Sequence, residues 1–537
     1  MSAYKFDWMA PPAPIDPAAI SRTERADVVI LGAGHAGSAA ARAAAEGGKS
    51  VIVVEKQAAD KHVIFGNEVG TLNSAFARGR GVQEYDPADF VADWQLRTQN
   101  RSDANLIRRY AQHSGAAMDW FLEPLPRDFI DTVTIFMNPA LPHYTPDYNG
   151  FKNFIGTALF YGDGCALCDA VKAGQEKAKA LGARFFYGFT GCRLEKENGR
   201  MTALIAQNRD GEFVRFAGGS IVLAAGGCTT NSQMVHDLYE ELDELFGHET
   251  DLRGMGADDG SGIRMGVWAG GRVQPGPRAA MAPSVSFMAG QFSGTAFLRL
   301  NRRGQRYTNE GFMGAFGGGN AAFRQPAGFL TAVFDANWRE ELEWQAPDHT
   351  NIDTNWKALM ERLEADMENV RAHGIEGAPI HGTTNMQDAG RPPRGENILC
   401  AQTLPELGAA LGYEGETLEN FLASIDRYNQ LCDLGRDLDF GKDPRQMHPV
   451  RTAPFFGVRT ALPMPRGPMA TLSGLVIDPA QRVLDENGDP IPGLYATGNN
   501  SGCRFAIQYS TPVAGVSIGM AMTLGKLLGD DLAAGRV

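Results

Sequence analysis

The chain is predicted to be an α/β protein: a doubly wound parallel sheet that binds a dinucleotide, with an antiparallel meander set into it. Three stretches of its 537 residues carry that prediction. Residues 28–56, VVILGAGHAGSAAARAAAEGGKSVIVVEK, place a glycine-rich turn and an alanine-rich stretch between two apolar runs. Residues 192–227 alternate in polarity and are punctuated by Asn-Gly and Asp-Gly. The C-terminal region reads as strand, loop and helix.

In the first stretch, residues 28–31 are apolar and largely β-branched, as a buried parallel strand requires. Gly32, Gly34 and Gly37 follow in G-x-G-x-x-G spacing. The first turns the chain tightly, the second lets a pyrophosphate approach the backbone, and the third lets helix and strand pack closely. A helix from about His35 aims its free N–H groups at the phosphates. Residues 51–54 form the next strand, and Glu55, eighteen residues past Gly37, stands where an acid accepts a hydrogen bond from a ribose hydroxyl. His35 lies within the phosphate turn and is read as positional. An acid at that place fits the ribose of either FAD or NAD.

Residues 86–122 are rich in helix formers, and 124–165 in Pro, Tyr, Phe and Gly, as loops lining a pocket would be. Cys165 and Cys168 form a C-x-x-C pair within a helix-spaced run over 165–181. Asp169 rules out haem attachment, and no further cysteines stand close enough for a cluster, so both are read as ordinary thiols. The Asn198-Gly199 and Asp210-Gly211 turns predict a three-stranded meander, followed by a separate buried strand over 220–225. Residues 335–375 read as helices, 475–495 as strand, hairpin, strand, and 515–534 as a final helix.

Composition narrows the partners. Net charge is −13 with no basic run, which argues against nucleic acid and anionic membrane. No apolar stretch reaches membrane-spanning length. Seven cysteines in this length make no disulfide framework, and no metal-ligand set stands out. The N-terminus has no basic-then-apolar leader pattern, so the cytoplasm is expected, with an exported precursor left open.

Three further stretches resemble one family. IVLAAGGCTTNSQMV is similar to the A-[TA]-G-G-x-x-x-N strand-turn of two-dinucleotide-binding flavoproteins. GMGADDGSGIRMGVWAGGRV resembles their G-x-x-G-D-G-x-x-M-G-x-x-A-G-A segment, and GLYATGNNSGCRFAIQYSTPVAGVSIGMAMTLGKLLGDDLA their closing strand, loop and helix. From about Asp27 to the C-terminus the chain resembles the fumarate reductase/succinate dehydrogenase flavoprotein family, which includes 3-ketosteroid dehydrogenases and urocanate-type reductases. The resemblance implies a Rossmann-like FAD domain at 24–274 and 446–537, an inserted α+β cap at 275–445, and an N-terminal arm at 1–23. It implies non-covalent FAD, since no histidine stands near 70–76. Gly32, Ala33, Gly34, Gly37 and Glu55 would hold the ADP half; Asn73 and Ser74 the pyrophosphate and ribityl groups; Cys192 the adenine, through its backbone. Ala225 and Gly226 would pass beside the ADP, Asn499 would bond the ribityl chain, and Val516 and Ser517 would present helix N–H groups to flavin N1/O2.

The family moves a hydride between flavin N5 and a carbon–carbon bond conjugated to a carbonyl. Fumarate reductases add arginines and histidines that clamp two carboxylates and supply a proton. This chain departs from them. RLNRRGQRYTNE (299–310) matches the family's L-V-N-x-x-G-x-R-F-x-N-E, yet Gly314 stands where the catalytic arginine belongs. Ala470 replaces the substrate histidine and Tyr509 the second arginine. The expected enzyme is therefore an enone-type reductase with a neutral or weakly charged substrate of aromatic or steroid-like kind, and Tyr509 is its candidate catalytic group. The loop is about two residues longer than in ketosteroid dehydrogenases, which puts Thr511 in register when counted from the last helix. A 3-ketosteroid-like desaturase is the alternative, and a non-catalytic flavin sensor or electron carrier the alternative of another class. A redox partner protein is a possible electron source. Tyr144, Tyr148 and Tyr161 are further pocket candidates, and Arg504 and Arg278 are expected in surface or interdomain salt bridges.

Overall fold

The first parallel strand is far longer than its apolar run. In the computed structural model, which describes residues 5–136, 147–148, 151–160, 166–254, 256–281, 292, 295–312, 318–344, 356–381, 392–393, 395–462 and 467–537, β1 spans Ile20–Leu31. Only its last four residues are fully buried. Its polar first half is held by backbone pairing, from Ile20 opposite Phe213 to Leu31 opposite Leu223. The strand thus begins inside the expected N-terminal arm. The described part of that arm is also anchored: Trp8 is buried, donates Nε1 to Asp237 at 3.0 Å, and accepts at its carbonyl from Trp268.

From β1 the chain turns into α1, His35–Glu46, and β2, Val51–Glu55, which runs parallel to β1. Alanine dominates α1, and its small side chains let other backbones come close. Helices over Pro87–Arg97 and Ala104–Leu122 follow. Then α2, Ala166–Ala180, leads to β3, Arg184–Tyr187, parallel to β2. Cys168 is buried on α2, and Cys165 lies outside the described residues. The meander consists of β4, Phe189–Glu197, β5, Arg200–Asn208, and β6, Phe213–Leu223. Asn198 and Gly199 both have positive φ, 48° and 82°, as a two-residue hairpin turn demands. The expected separate strand over 220–225 is corrected. It is the end of β6, which pairs antiparallel with β5 along its first half and parallel with β1 throughout. Two adjacent glycines, 218 and 219, interrupt the apolar pattern but not the backbone ladder.

The inserted unit has its own antiparallel sheet. Its strands are β7, Leu298–Asn301, β8, Gly328–Phe334, β9, Ile398–Ala401, and β10, Phe455–Leu462, in spatial order β7-β8-β10-β9. Helices over Trp338–Glu343, Trp356–His373 and Glu416–Leu434 accompany it. Phe292, Phe297, Phe334, Phe456 and Trp338 share its main core, and the Phe297 and Phe334 rings stack at 4.0 Å. The expected return to the first domain at 446 is too early. β10 pairs with β8 and β9 along its length, so it belongs to the cap sheet. Its apolar run carries no motif that assigns it to either unit.

The chain then returns through β11, Arg482–Leu484, and β12, Pro490–Ala496, to α3, Val516–Ala533. The main sheet reads β11-β12-β6-β1-β2-β3, with β12 taking over beside β6 where β5 ends. A Cβ on Gly525 would lie 2.4 Å from the Ala36 carbonyl oxygen of α1, and one on Gly529 2.5 Å from that of Ala40. These glycines let α3 lie directly on α1. β1, β2, β6 and β12 therefore end at one edge of the sheet, where ligands bind in doubly wound folds.

Candidate active site

Three glycines of the first turn have three different surroundings. A Cβ on Gly32 would meet the Ala224 carbonyl oxygen at 2.4 Å, and one on Gly37 the Gly32 carbonyl oxygen at 2.0 Å. At Gly34 it would meet nothing within 4 Å. The turn is closed against the sheet on both sides and open at its middle, directly over the start of α1. Glu55 is buried and accepts from Ala33 N at 2.8 Å and from Gln57 N. It thus ties β2 to the turn. Gln175 of α2 donates to the Ala33 carbonyl at 3.0 Å and to Ser38 Oγ at 2.8 Å, and accepts from the Tyr187 hydroxyl. His35 donates Nε2–H to the Phe65 carbonyl, because a carbonyl only accepts. Burial lowers its pKa, so the ring stays neutral beside the turn.

The N-terminus of α1 has no side-chain cap, and neither does that of α3. Both are buried, at Ala36 and at Val516 and Ser517. Uncapped N–H groups in such places call for an anionic or polar ligand. Four other helices of the same unit are capped by Ser74, Asp86, Asp103 and Asn231; those starting at Arg127, Glu240 and Ser261 have no N-cap side chain, but Ser261 N donates to Asp259. The approach to α3 is fixed by backbone: Gly70 N donates to the Gly515 carbonyl, Phe154 N to that of Pro512, and Thr157 Oγ1 to that of Ala514.

Asn73 has φ 60°, its side-chain amide bonds both backbone groups of Tyr85, and its own carbonyl accepts from Arg78. Ser74 is the buried cap of Ala75–Arg78. Cys192 is half-buried on β4 and donates to the Thr190 carbonyl; burial pushes its thiol pKa up. Ala225 and Gly226 follow β6, and Asn499 follows β12, half-buried.

The sequence did not single out Asn500. It accepts from Ala225 N at 2.6 Å and donates to the Gly226 carbonyl at 2.7 Å, so one side chain fixes both peptide groups. Asp258 accepts from Gly227 N, and burial raises its pKa. The only hint to Asn500 is its place beside Asn499.

Tyr509 is 2% exposed in the loop after β12. It packs on Phe505, whose ring stands 5.3 Å from Trp94, and shares its cluster with Phe90, Tyr110 and Phe154. Thr511 is buried beside it in sequence. Ala470 is half-buried in a short strand paired with Ala280–Met281. Gly314, Tyr144 and Tyr161 lie outside the described residues, as does the side chain of Tyr148.

The expected salt bridges of Arg504 and Arg278 are corrected: among the described residues neither has an acid partner. Arg504 is fully buried and donates to the carbonyls of Gly498 and Ser501 and to Asn499 Oδ1. Burial lowers its pKa to about 10. Arg278 donates to the carbonyls of Gln274 and Leu238. All the Arg504 bonds come from one nitrogen; its Nε and Nη1 are buried without a hydrogen-bond partner among the described residues.

Comparison with known proteins agrees with this geometry. A family model described as "FAD binding domain" matches residues 27–510. The chain is 25% identical to the vinyl phenol reductase of Lactiplantibacillus plantarum, covering 94% of this chain and 96% of that one. It is 24% identical to the 4-oxocyclohexanecarboxylate 2-dehydrogenase of Sinomonas cyclohexanicum, over 94% and 92%. In fold it is similar to the 3-ketosteroid-delta4-(5alpha)-dehydrogenase of Rhodococcus jostii RHA1, with a TM-score of 0.68 and 19% identity over 97% and 99%. The open middle of the phosphate turn and the two uncapped, buried helix starts fit FAD. Among the described residues no helix is long and apolar enough to cross a membrane.

Proposed function

The chain belongs to the FAD binding domain family, as an FAD-dependent oxidoreductase acting on CH–CH groups, and from that premise we propose that it reduces a carbon–carbon double bond conjugated to a carbonyl or an aromatic ring in a neutral substrate. Bound FAD supplies the hydride at N5. The Gly32–Gly37 turn and Glu55 hold its ADP half, with Cys192, Ala225 and Gly226 alongside. Asn73, Ser74 and Asn499 hold the pyrophosphate and ribityl part, and the Val516 and Ser517 N–H groups face the ring's pyrimidine edge.

One observation carries the substrate reading. Where fumarate reductases place a second arginine, this chain has Tyr509, buried in an aromatic wall with Phe505, Trp94 and Phe90. Such a wall takes up an aromatic or alicyclic ring, and the cation beside it, Arg504 at 5.2 Å from the Phe505 ring, is one guanidinium rather than the pair that clamps a dicarboxylate. Two relatives are named for a vinyl phenol and for 4-oxocyclohexanecarboxylate, an aromatic and an alicyclic ring, the second carrying one carboxylate. The Tyr509 hydroxyl polarises the substrate or hands it the second proton. The test is a panel in which the anaerobically reduced holoenzyme is mixed with cyclic enones, vinyl phenols, fumarate and succinate, and flavin reoxidation is followed by absorbance. Fast reoxidation by a neutral alkene and none by fumarate is expected; brisk turnover of a dicarboxylate overturns the reading, and a flavin that no alkene reoxidises makes the protein a carrier. Tyr509→Phe keeps its FAD and slows the step by about 10²–10⁴-fold. A wild-type rate removes Tyr509 from the mechanism.

A further inference from the structure

Away from the dinucleotide groove, the helix Ser232–Leu238 and the helix Glu240–Phe246 bring together three side chains for which the reading above has no use. His236 Nδ1 lies 2.7 Å from Asp243 Oδ1, and His248 Nδ1 lies 3.1 Å from the same oxygen. The donor atoms of all three residues fall within 4.8 Å of one another. The other nitrogen of His236, Nε2, is 2.7 Å from the Thr250 carbonyl oxygen. A carbonyl can only accept, so Nε2 carries a hydrogen. In a neutral ring Nδ1 then holds a lone pair, and that lone pair faces a carboxylate oxygen at hydrogen-bond distance. Two acceptors do not sit together unless a cation, either a proton or a metal ion, lies between them.

We propose that His236, Asp243 and His248 bind a divalent transition metal ion of the zinc, cobalt or nickel class. The donor set, two imidazoles and one carboxylate, suits borderline ions rather than calcium or magnesium. The bond from His236 Nε2–H to the Thr250 carbonyl orients a metal-binding imidazole, fixes its tautomer and makes Nδ1 the ligand. His236 is buried and rigid, whereas His248 is exposed and free to swing onto an arriving ion. Residues 231–252 contain seven acids and no lysine or arginine, and of the two arginines that line the cavity, Arg253 and Arg264, the first is paired with Asp251, so acids dominate the local field. A surface cavity of about 730 Å³, lined by His236, His248, Glu249 and Asp251 among others, gives the ion a path and room for water as a further ligand. The ion clips the 240–250 segment onto the preceding helix. Gly254 N in turn donates to the Thr229 carbonyl, close to the chain that follows Ala225 and Gly226. The sequence shows no signal for this site beyond two histidines and an acid at spacings of seven and five.

The experiment uses the tag-free, FAD-loaded enzyme, stripped with a chelator and desalted, then titrated with Zn(II) by calorimetry and with Co(II) by visible absorbance. One equivalent is expected to bind, with a ligand-field band for Co(II) and a higher melting temperature with Zn(II). Because His248 is exposed, His248→Ala folds normally and keeps its flavin spectrum, but binds the ion more than about 100-fold more weakly and loses the melting shift. No binding by the wild type shows that a proton fills the gap and overturns the proposal. Equal binding by His248→Ala assigns the ion to another place and does the same.

Discussion

The two larger sheets of this protein keep their interiors in opposite ways. The dinucleotide-binding unit brings backbones together through residues that have almost no side chain. Gly37 sits on the Gly32 carbonyl, Gly525 and Gly529 sit on α1, and a Cβ on Gly519 would lie 1.7 Å from the Gly70 carbonyl oxygen. The cap is filled with bulky rings, and beside them it buries charge. Arg306 forms a two-pronged pair with Glu310 at 2.8 Å and another with Asp437. Lys442, fully buried, donates to the Ala296 carbonyl and the Tyr428 hydroxyl and lies 3.6 Å from Glu310. Burial opposes the Glu310 charge, but Lys442 and Arg306 outweigh it and hold its pKa below the usual value. Glu341 forms no ion pair among the described residues, and burial, opposed by Lys442, raises its pKa well above the ordinary value. The cofactor unit thus depends on what is missing from its residues, and the cap on whether its charges have partners.

The sharpest way to break this comparison is at the phosphate turn. Gly37→Val drives a branched side chain into a carbonyl and is expected to abolish soluble yellow protein. Gly34→Ala meets open space, so the fold and its melting temperature without cofactor stay unchanged, while the added methyl weakens FAD at least about tenfold, a loss of roughly 1.4 kcal/mol. Titration of the apoprotein with FAD checks this. If both variants behave alike, the turn is not shaped around a ligand.

Next in size is the cap network. Glu310→Gln leaves Arg306 with Asp437 alone and Lys442 without a nearby acid, so a loss of about 3–5 kcal/mol is expected in urea unfolding. The flavin spectrum is expected to persist where the protein remains folded. A loss below about 1 kcal/mol would mean that water reaches the network.

The smallest effect concerns His448. Burial, and then the Lys442 charge, push its pKa down from 6.5 to about 4, and its Nε2 is buried without a partner. Between pH 4 and 6.5 the unfolded chain therefore binds a proton that the folded chain refuses. Stability rises with pH across that window and falls as the solution is acidified. The shift corresponds to at most about 3 kcal/mol. His448→Asn is expected to flatten that part of the profile of melting temperature against pH.

Legibility in the sequence follows the same division. The phosphate turn, Glu55 at the end of β2, the Asn198-Gly199 hairpin and the closing helix all depend on local chemistry: a glycine where φ must be positive or a backbone must come close, and apolar runs at the right period. The polar half of β1, the continuity of β6 and the place of β10 in the cap sheet were not legible. Each depends on a partner strand distant in the chain. Asn500 and Gln175 escaped for a related reason, since a lone amide shows its two partners only after folding. Of the aromatic stretch over 124–165, read as pocket wall, Phe154 joins the cluster around Tyr509 together with Phe90, Trp94 and Tyr110, while Tyr144 and Tyr161 lie outside the described residues.

By itself, then, the sequence determined that the chain carries a doubly wound, FAD-binding sheet and where its glycine-rich turn lies, because those features are set by residues within about thirty positions of one another. Tertiary structure alone decided which charges are buried together in the cap, that Arg504 and Arg278 donate to carbonyls rather than to acids, and that His236, Asp243 and His248 share a single point. Electrostatic partnership is a matter of distance in space, and neither composition nor periodicity encodes it.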